Sequence, residues 1–162
     1  MLEIRRATPD DAQAIARLNA PVQQLHHEAR PGIFKPPSDD GRMVQHYVDL
    51  LENPDNHIFI GEADGVPVGY VYAQVYRRPE NPFTHAQDIV YVDQISVNPD
   101  QRGKGYGRQL TQAVFDLARK ERIALITLSV WMFNGDAIAF YERLGFRPIL
   151  QSMEYVLTED RS

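Results

Sequence analysis

Apolar and polar positions alternate from Leu2 to Ala7, which predicts a first strand. Thr8-Pro9-Asp10-Asp11 then reads as a helix start, with Thr8 as cap, Pro9 at the first helical position and Asp11 near the positive helix end. Ala12, Ile15, Ala16 and Leu18 continue at helical spacing. Three prolines and a glycine within residues 30–38 break that helix. A second helix, starting at Asp39 or Asp40, carries Met43, Tyr47, Leu50 and Leu51 on one face and stops at Asn53-Pro54-Asp55-Asn56. Two β-rich runs, from His57 to Ala63 and from Val66 to Tyr76, flank Asp64-Gly65 and predict a hairpin. After a polar connection over residues 77–87, a strand is expected from about Asp88 to Val97. Strict alternation puts Ile89, Tyr91, Asp93, Ile95 and Val97 on one face and Val90, Val92, Gln94 and Ser96 on the other.

A glycine-rich segment follows, then an amphipathic helix with Leu110, Val114, Leu117 and Ala118 at core spacing. The near-continuous apolar run from Ile123 to Val130 predicts a central strand buried on both faces. Asn134-Gly135-Asp136 opens a short helix containing Ala137, Phe140, Tyr141 and Leu144, with Gly145 as its left-handed cap. A last strand or pair of strands is expected within Phe146 to Leu157. The order βαα-βββ-αβαβ describes an α+β fold, a mixed sheet with helices on both faces. Without repeats, linkers or low-complexity stretches, residues 1–162 read as a single domain.

Composition narrows the class. At 162 residues, 43% hydrophobic and 24% charged, the chain is an ordinary globular protein able to bury its own core. No apolar run approaches the roughly 18 residues of a membrane span. Met1-Leu2-Glu3-Ile4 enters strand alternation directly, so no signal peptide is read and a cytoplasmic location is expected. Cysteine is absent, which excludes disulfides, thiolate metal sites and any cysteine-bound acyl intermediate. A net charge of −5, with no basic tract longer than Arg5-Arg6 or Arg77-Arg78, argues against nucleic acid as a partner. The adjacent histidines 26 and 27 do not have metal-ligand spacing, so no metal is expected; His46, His57 and His85 read as surface or partly buried residues.

The chemistry concentrates at Arg102-Gly103-Lys104-Gly105-Tyr106-Gly107-Arg108. Glycines between a strand exit and a helix start let the backbone curl around an anion, with freed N–H groups and the positive helix end aimed at it. Arg102, Lys104 and Arg108 add charge suited to a phosphate or pyrophosphate. The spacing matches neither the dinucleotide fingerprint nor the nucleoside-triphosphate loop. Taken alone, a ligand-free glycine turn remains open.

Arg102, Gly105 and Gly107 match the Gln/Arg-x-x-Gly-x-Gly/Ala hallmark of the GNAT superfamily of N-acetyltransferases, which the chain resembles. Asn134, Ala137, Tyr141, Gly145 and Phe146 resemble that family's second signature, Asn-x-x-Ala-x-x-x-Tyr-x-x-x-Gly-Phe. The resemblance is specific from about residue 88 to 146 and implies a central sheet of about seven strands with about four helices. It further implies acetyl-CoA as co-substrate and direct transfer to a primary amine of a small molecule or peptide in a ternary complex. Backbone groups of Ile95, Ser96 and Val97 would pair with the pantetheine amides. The N–H groups of Arg102 to Arg108 would hold the pyrophosphate, and Asn134 and Ala137 would meet the cofactor, Asn134 also capping its helix. Tyr141 matches the family's general acid for the departing thiolate. The family often places a base on the strand before the glycine loop, where this chain offers Tyr91 and Asp93; Asp93 is the candidate proton acceptor, directly or through water.

Acceptor recognition would fall in the segment between the first two helices and the loop before the cofactor strand, roughly Leu25 to Pro37 and Arg77 to Gln87. His26, Glu28 and Phe34 are candidates there, and Trp131 is a candidate wall of the acetyl pocket. One departure is plain: where the ribosomal-protein N-terminal acetyltransferases usually carry a glutamate, five residues before the asparagine, this chain has Ser129. A non-catalytic acyl-CoA sensor and a protein or peptide N-acetyltransferase are the alternatives, and a homodimer is compatible with the reading.

Overall fold

The computed structural model describes residues 1–157. The chain divides into two compact units, residues 1–129 and the residues from 130 onward.

The first unit is built on one sheet in the order β1-β2-β3-β4-β5. Strands β1 (Leu2–Arg6), β2 (Asn56–Ala63), β3 (Val66–Arg78) and β4 (Gln87–Val97) are antiparallel neighbours, and β5 (Leu125–Leu128) joins β4 in parallel. The expected hairpin turn is present, with Asp64 and Gly65 both at positive φ (52° and 74°), the conformation a two-residue hairpin needs. Helix α1 (Ala12–Ala29) follows a short 3-10 turn over Pro9–Asp11, where the Thr8 N–H donates to Asp11 Oδ2 at 2.8 Å. Arg5 clamps the same carboxylate through both of its terminal nitrogens, at 2.8 and 2.7 Å.

Helix α2 begins at Arg42, later than Asp39 or Asp40, because Gly41 takes a left-handed conformation (φ 82°) and the helix runs from there to Glu52. Its apolar face, with α1, covers one side of the sheet: Ile15, Leu18 and Tyr47 pack on Ile58, Ile60, Tyr70 and Tyr72. Helix α3 (Tyr106–Lys120) covers the other side, placing Leu110, Val114, Leu117 and Ala118 against Val71, Ala73, Val90 and Val92. Fully burying a side chain of this size contributes about 1.5–3 kcal/mol, so these two faces hold the unit together. Strand β5 is shorter than the Ile123–Val130 run and only half-buried, being paired on one side among the described residues.

The second unit contains helix α4 (Gly135–Arg143), closed by Gly145 at φ 97° with the Phe146 N–H bonded to the Tyr141 carbonyl at 3.1 Å. Residues 146–157 form no strand. The described residues therefore hold five strands instead of about seven, with four helices as expected. Among them no helix is long and apolar enough to cross a membrane.

Candidate active site

The decisive geometry lies in β4. Tyr72 pairs with Gln94 and the next residue, Ala73, pairs with Val92, so Asp93 is an extra residue on β4 opposite no partner of its own. This is a β-bulge, which bends its strand and re-aims side chains. It also breaks the expected alternation. Before the bulge Val90 and Val92 face α3; after it Ile95 and Val97 do. Gln94, expected on the face opposite Asp93, bonds Tyr47 and Tyr70 on the α1/α2 side. The charge of the neighbouring Asp93 adds to the rise in the phenol pKa values of Tyr47, Tyr70 and Tyr72.

The bulge coincides with a parting of two strands. Strand β5 pairs with β4 only from Ile89 to Val92, whereas β3 stays paired with β4 as far as Val97. From Asp93 to Val97 the β5-facing edge of β4 thus has no strand partner among the described residues. Ser96 is fixed from within, its Oγ donating to the Leu18 carbonyl at 2.6 Å.

Directly after this open edge comes a 3-10 turn, Pro99–Gln101, and then the glycine segment. Gly103 and Gly105 both sit at φ 79°, a conformation that costs an ordinary residue about 1–2 kcal/mol. A Cβ at either position would meet no atom within 4 Å, so the space before the loop is open. Gly105 caps α3 without any side-chain hydrogen bond. The first-turn N–H groups, at Tyr106, Gly107 and Arg108, have no acceptor inside the helix. Arg102 Nε reaches the Val97 carbonyl at 3.3 Å and Lys104 Nζ the Gln101 side chain at 2.7 Å, which braces the loop against the strand exit.

Asp93 lies at a solvent-reached rim, yet surrounding protein strips enough water to raise its pKa above the usual carboxylate range. A hydrogen bond from Gln94 and the nearby His46 of α2 oppose that rise. Burial is also the main reason the phenol pKa values rise at Tyr47 (to about 12), Tyr70 and Tyr72. The sequence reading gives Gln94, Tyr47, Tyr70 and His46 no role in the site; nothing in the alternation of β4 marks a bulge.

Near the end of α1, His26 Nδ1 lies 2.7 Å from the Val22 carbonyl and its ring meets Phe34 edge-on at 4.9 Å. His27 Nδ1 lies 2.8 Å from the Phe34 carbonyl, so the helix end and the loop after it are tied together. Glu28 accepts from Gln24 at 2.6 Å on the same helix. His57 is buried, with Nδ1 lacking a partner and its pKa lowered chiefly by burial. It lines a hollow of about 370 Å³ with Asp55, Arg77 and Glu121; of the segments expected to meet donor or acceptor, Arg77 alone reaches that hollow. No group of three metal-ligating side chains occurs among the described residues.

In the second unit Asn134 caps α4, its Oδ1 accepting from the Ala137 N–H at 3.2 Å. The Tyr141 ring packs edge-on between Phe140 (5.2 Å) and Phe146 (5.6 Å). Trp131 stacks on Phe133 at 5.8 Å.

The family model for acetyltransferases (GNAT) matches residues 20–146. The chain belongs to the GNAT family. It is 31% identical over 99 residues to an uncharacterized N-acetyltransferase of Methanocaldococcus jannaschii, covering 60% of this chain and 42% of that protein. This GNAT chain thus spans less than half the length of that relative. Among solved structures, the tetramutant of the BH1408 protein from Bacillus halodurans superposes with a TM-score of 0.89 at 26% identity, over 96% of this chain and 99% of that one. An aminoglycoside N-acetyltransferase in complex with CoA shares the fold, with a TM-score of 0.73 at 20% identity over 97% and 95% of the two chains.

Proposed function

We propose that this GNAT protein is an acetyl-CoA-dependent N-acetyltransferase that moves the acetyl group directly to a primary amine of a small molecule or peptide. The observation that carries the reading is the β4 edge at Ile95, Ser96 and Val97, without a strand partner among the described residues, followed through the Pro99–Gln101 turn by the N-terminus of α3 at Gly105. An extended pantetheine arm carries amides that add to such an edge as a strand does. The N–H groups from Arg102 to Arg108, with the side chains of Arg102, Lys104 and Arg108, suit the pyrophosphate. The open space at Gly103 and Gly105 fits a bulky anion. The CoA in the aminoglycoside enzyme's structure supports the same donor. Asn134 and Ala137 are assigned to the cofactor by the second motif.

In the reaction the neutral amine nitrogen attacks the thioester carbonyl, a C–N bond forms and the C–S bond breaks. Tyr141 Oη protonates the departing thiolate, whose own pKa of about 8.5 makes it an easy leaving group. Asp93 takes the proton of the alkylammonium before attack, and the second proton that the nitrogen loses as the amide forms restores Tyr141 through solvent. An alkylamine with a pKa near 10.4 is almost wholly protonated at neutral pH, so a route for that proton is required. The raised pKa of Asp93 brings its basicity closer to the task. His26, Glu28 and Phe34 are assigned to the acceptor, with Trp131 as a wall of the acetyl pocket. The missing cysteine is consistent with transfer that has no enzyme-bound intermediate.

The test is acetyl-CoA titration followed by a screen of small amines, amino acids and peptides for CoA thiol release. Stoichiometric binding with acceptor-dependent release is expected. Binding without release from any acceptor would replace the enzyme with an acyl-CoA sensor, and no binding would remove the donor assignment altogether.

A further inference from the structure

The proposed chemistry has no use for His57, a buried side chain of β2. Ile58 and Ile60 face α1 and α2, so alternation turns His57, like Phe59, to the α3 side of the sheet. The ring is 9% exposed, and its Nδ1 is closed off from water with no hydrogen-bond partner among the described residues. Buried polar atoms are normally bonded, so an orphan of this kind needs a reason. The same ring forms part of the wall of the hollow of about 370 Å³, together with Pro54, Asp55, Val75, Arg77 and Glu121. Glu121 caps the C-terminus of α3, a helix of 15 residues, so the hollow lies about 22 Å along the helix from the glycine loop. It is separate from the loop assigned to the donor.

The groups that line the hollow suit a cation with several N–H donors. Two carboxylates face one guanidinium, and that guanidinium is divided: Arg77 pairs with Glu121 at 3.0 Å and also with Asp88, which does not line the hollow. The Asp55 carboxylate has no ion pair or hydrogen bond among the described residues. Burial, with the charges of Arg6 and Lys120, holds the His57 pKa below its usual value against the opposing pull of Glu121 and Asp55. The imidazole is therefore neutral at pH 7 and keeps a lone pair. No group of three metal-ligating side chains occurs among the described residues, so a metal ion is not the occupant this wall selects. We infer that the hollow binds a primary alkylammonium ion, whose N–H groups donate to Asp55, Glu121 and the His57 ring while its alkyl part lies on Pro54 and Val75. Three donors meet three acceptors, a match that a quaternary ammonium or an anion cannot make. The site does not depend on acetyl transfer, and its failure would leave the acetyltransferase reading intact.

The experiment titrates n-butylammonium chloride into the full, nitrogen-15-labelled chain at pH 7 without acetyl-CoA. Tetramethylammonium chloride and sodium butyrate serve as controls, and NMR follows the His57 ring nitrogens and the backbone amides. Saturable shifts at the His57 ring and at the amides of Asp55 and Glu121 are expected with n-butylammonium alone. Asp55→Asn, a change at an exposed position, is expected to weaken that binding at least fivefold, and Glu121→Gln to do the same should the first variant fold poorly. Asp93→Asn is expected to leave the His57 response unchanged, which separates this site from the one proposed for the acceptor. A His57 ring that does not respond, or responds equally to tetramethylammonium, would overturn the inference. So would affinity undiminished in both carboxylate variants, or a response lost with Asp93→Asn. Shifts confined to the surroundings of Asp93 would overturn it too, while favouring the acceptor assignment.

Discussion

Gln94 Oε1 lies 2.7 Å from Tyr47 Oη and accepts its hydrogen bond. Tyr70 Oη stands 2.8 Å from the same oxygen and 3.0 Å from Tyr47 Oη, and it accepts from Asn19 Nδ2 at 2.9 Å. Two phenol protons serve three short contacts, so the Gln94 oxygen always receives at least one. The amide is thereby held in one orientation, its oxygen on the phenols, and its interaction with Asp93 draws that carboxyl's pKa down. The buried network of α1, α2 and β3 thus reaches the rim carboxylate through a single side chain.

Gln94→Leu is expected to cost about 1–3 kcal/mol of stability, since it leaves buried phenols short of an acceptor. The cost should shrink when Tyr47→Phe and Tyr70→Phe accompany it, because the orphaned hydroxyls are then gone. Urea denaturation of the single and triple variants measures both; strictly additive losses would mean the three side chains do not act as a network.

Asp93→Asn is expected to lower turnover at least tenfold and to stabilise the fold. The sign follows from its pKa, which is higher in the folded chain than in the unfolded one. The folded state therefore holds the proton more tightly, and ionisation works against folding as pH rises from about 4 through the folded value. The melting-temperature gain of the Asn variant should appear in that window, persist at neutral pH and vanish in stronger acid. A variant with full turnover would take Asp93 out of the proton path.

Gly105→Ala and Gly105→Glu separate backbone strain from blocked access. Both place a side chain at φ 79°, and Ala should cost about 1–2 kcal/mol of stability. Only the glutamate should weaken acetyl-CoA binding by more than tenfold, by setting a carboxylate at the loop to which the pyrophosphate is assigned. Equal affinities by calorimetry would move the anion away from this loop.

Tyr141→Phe should lower kcat by about a hundredfold while the acetyl-CoA dissociation constant changes little, the signature of a lost proton donor. Steady-state kinetics and calorimetry on the same preparation decide it. Unchanged kcat would leave Tyr141 as the aromatic packed between Phe140 and Phe146.

The helices were legible because each buries one stripe. Tyr47, Leu50 and Leu51 on α2, and Leu110, Val114 and Leu117 on α3, announce their faces through spacing alone. Asp64-Gly65 announced its turn because few pairs tolerate two positive φ values. The glycine segment was legible for the same reason. The bulge at Asp93 was not, because an inserted strand residue needs no special side chain and β4 contains no glycine or proline to flag it. One extra residue then reversed the faces of Gln94, Ile95, Ser96 and Val97, and with them the network around the candidate base. The segment from Phe146 to Leu157 shows the opposite limit. Its composition states a preference for extended structure, but a strand exists only when another strand pairs with it, and local sequence does not name the partner.

The gap between β4 and β5 has an evolutionary consequence. Contacts along it would be made by N–H and C=O groups that nearly every residue possesses, so they are indifferent to which side chains occupy positions 95 to 97. Those side chains answer to the core instead: Ile95 and Val97 to α3, Ser96 to α1. On the proposed reading, mutation can therefore reshape the His26–Phe34 end of α1 and the choice of acceptor while backbone contacts along this edge are inherited unchanged.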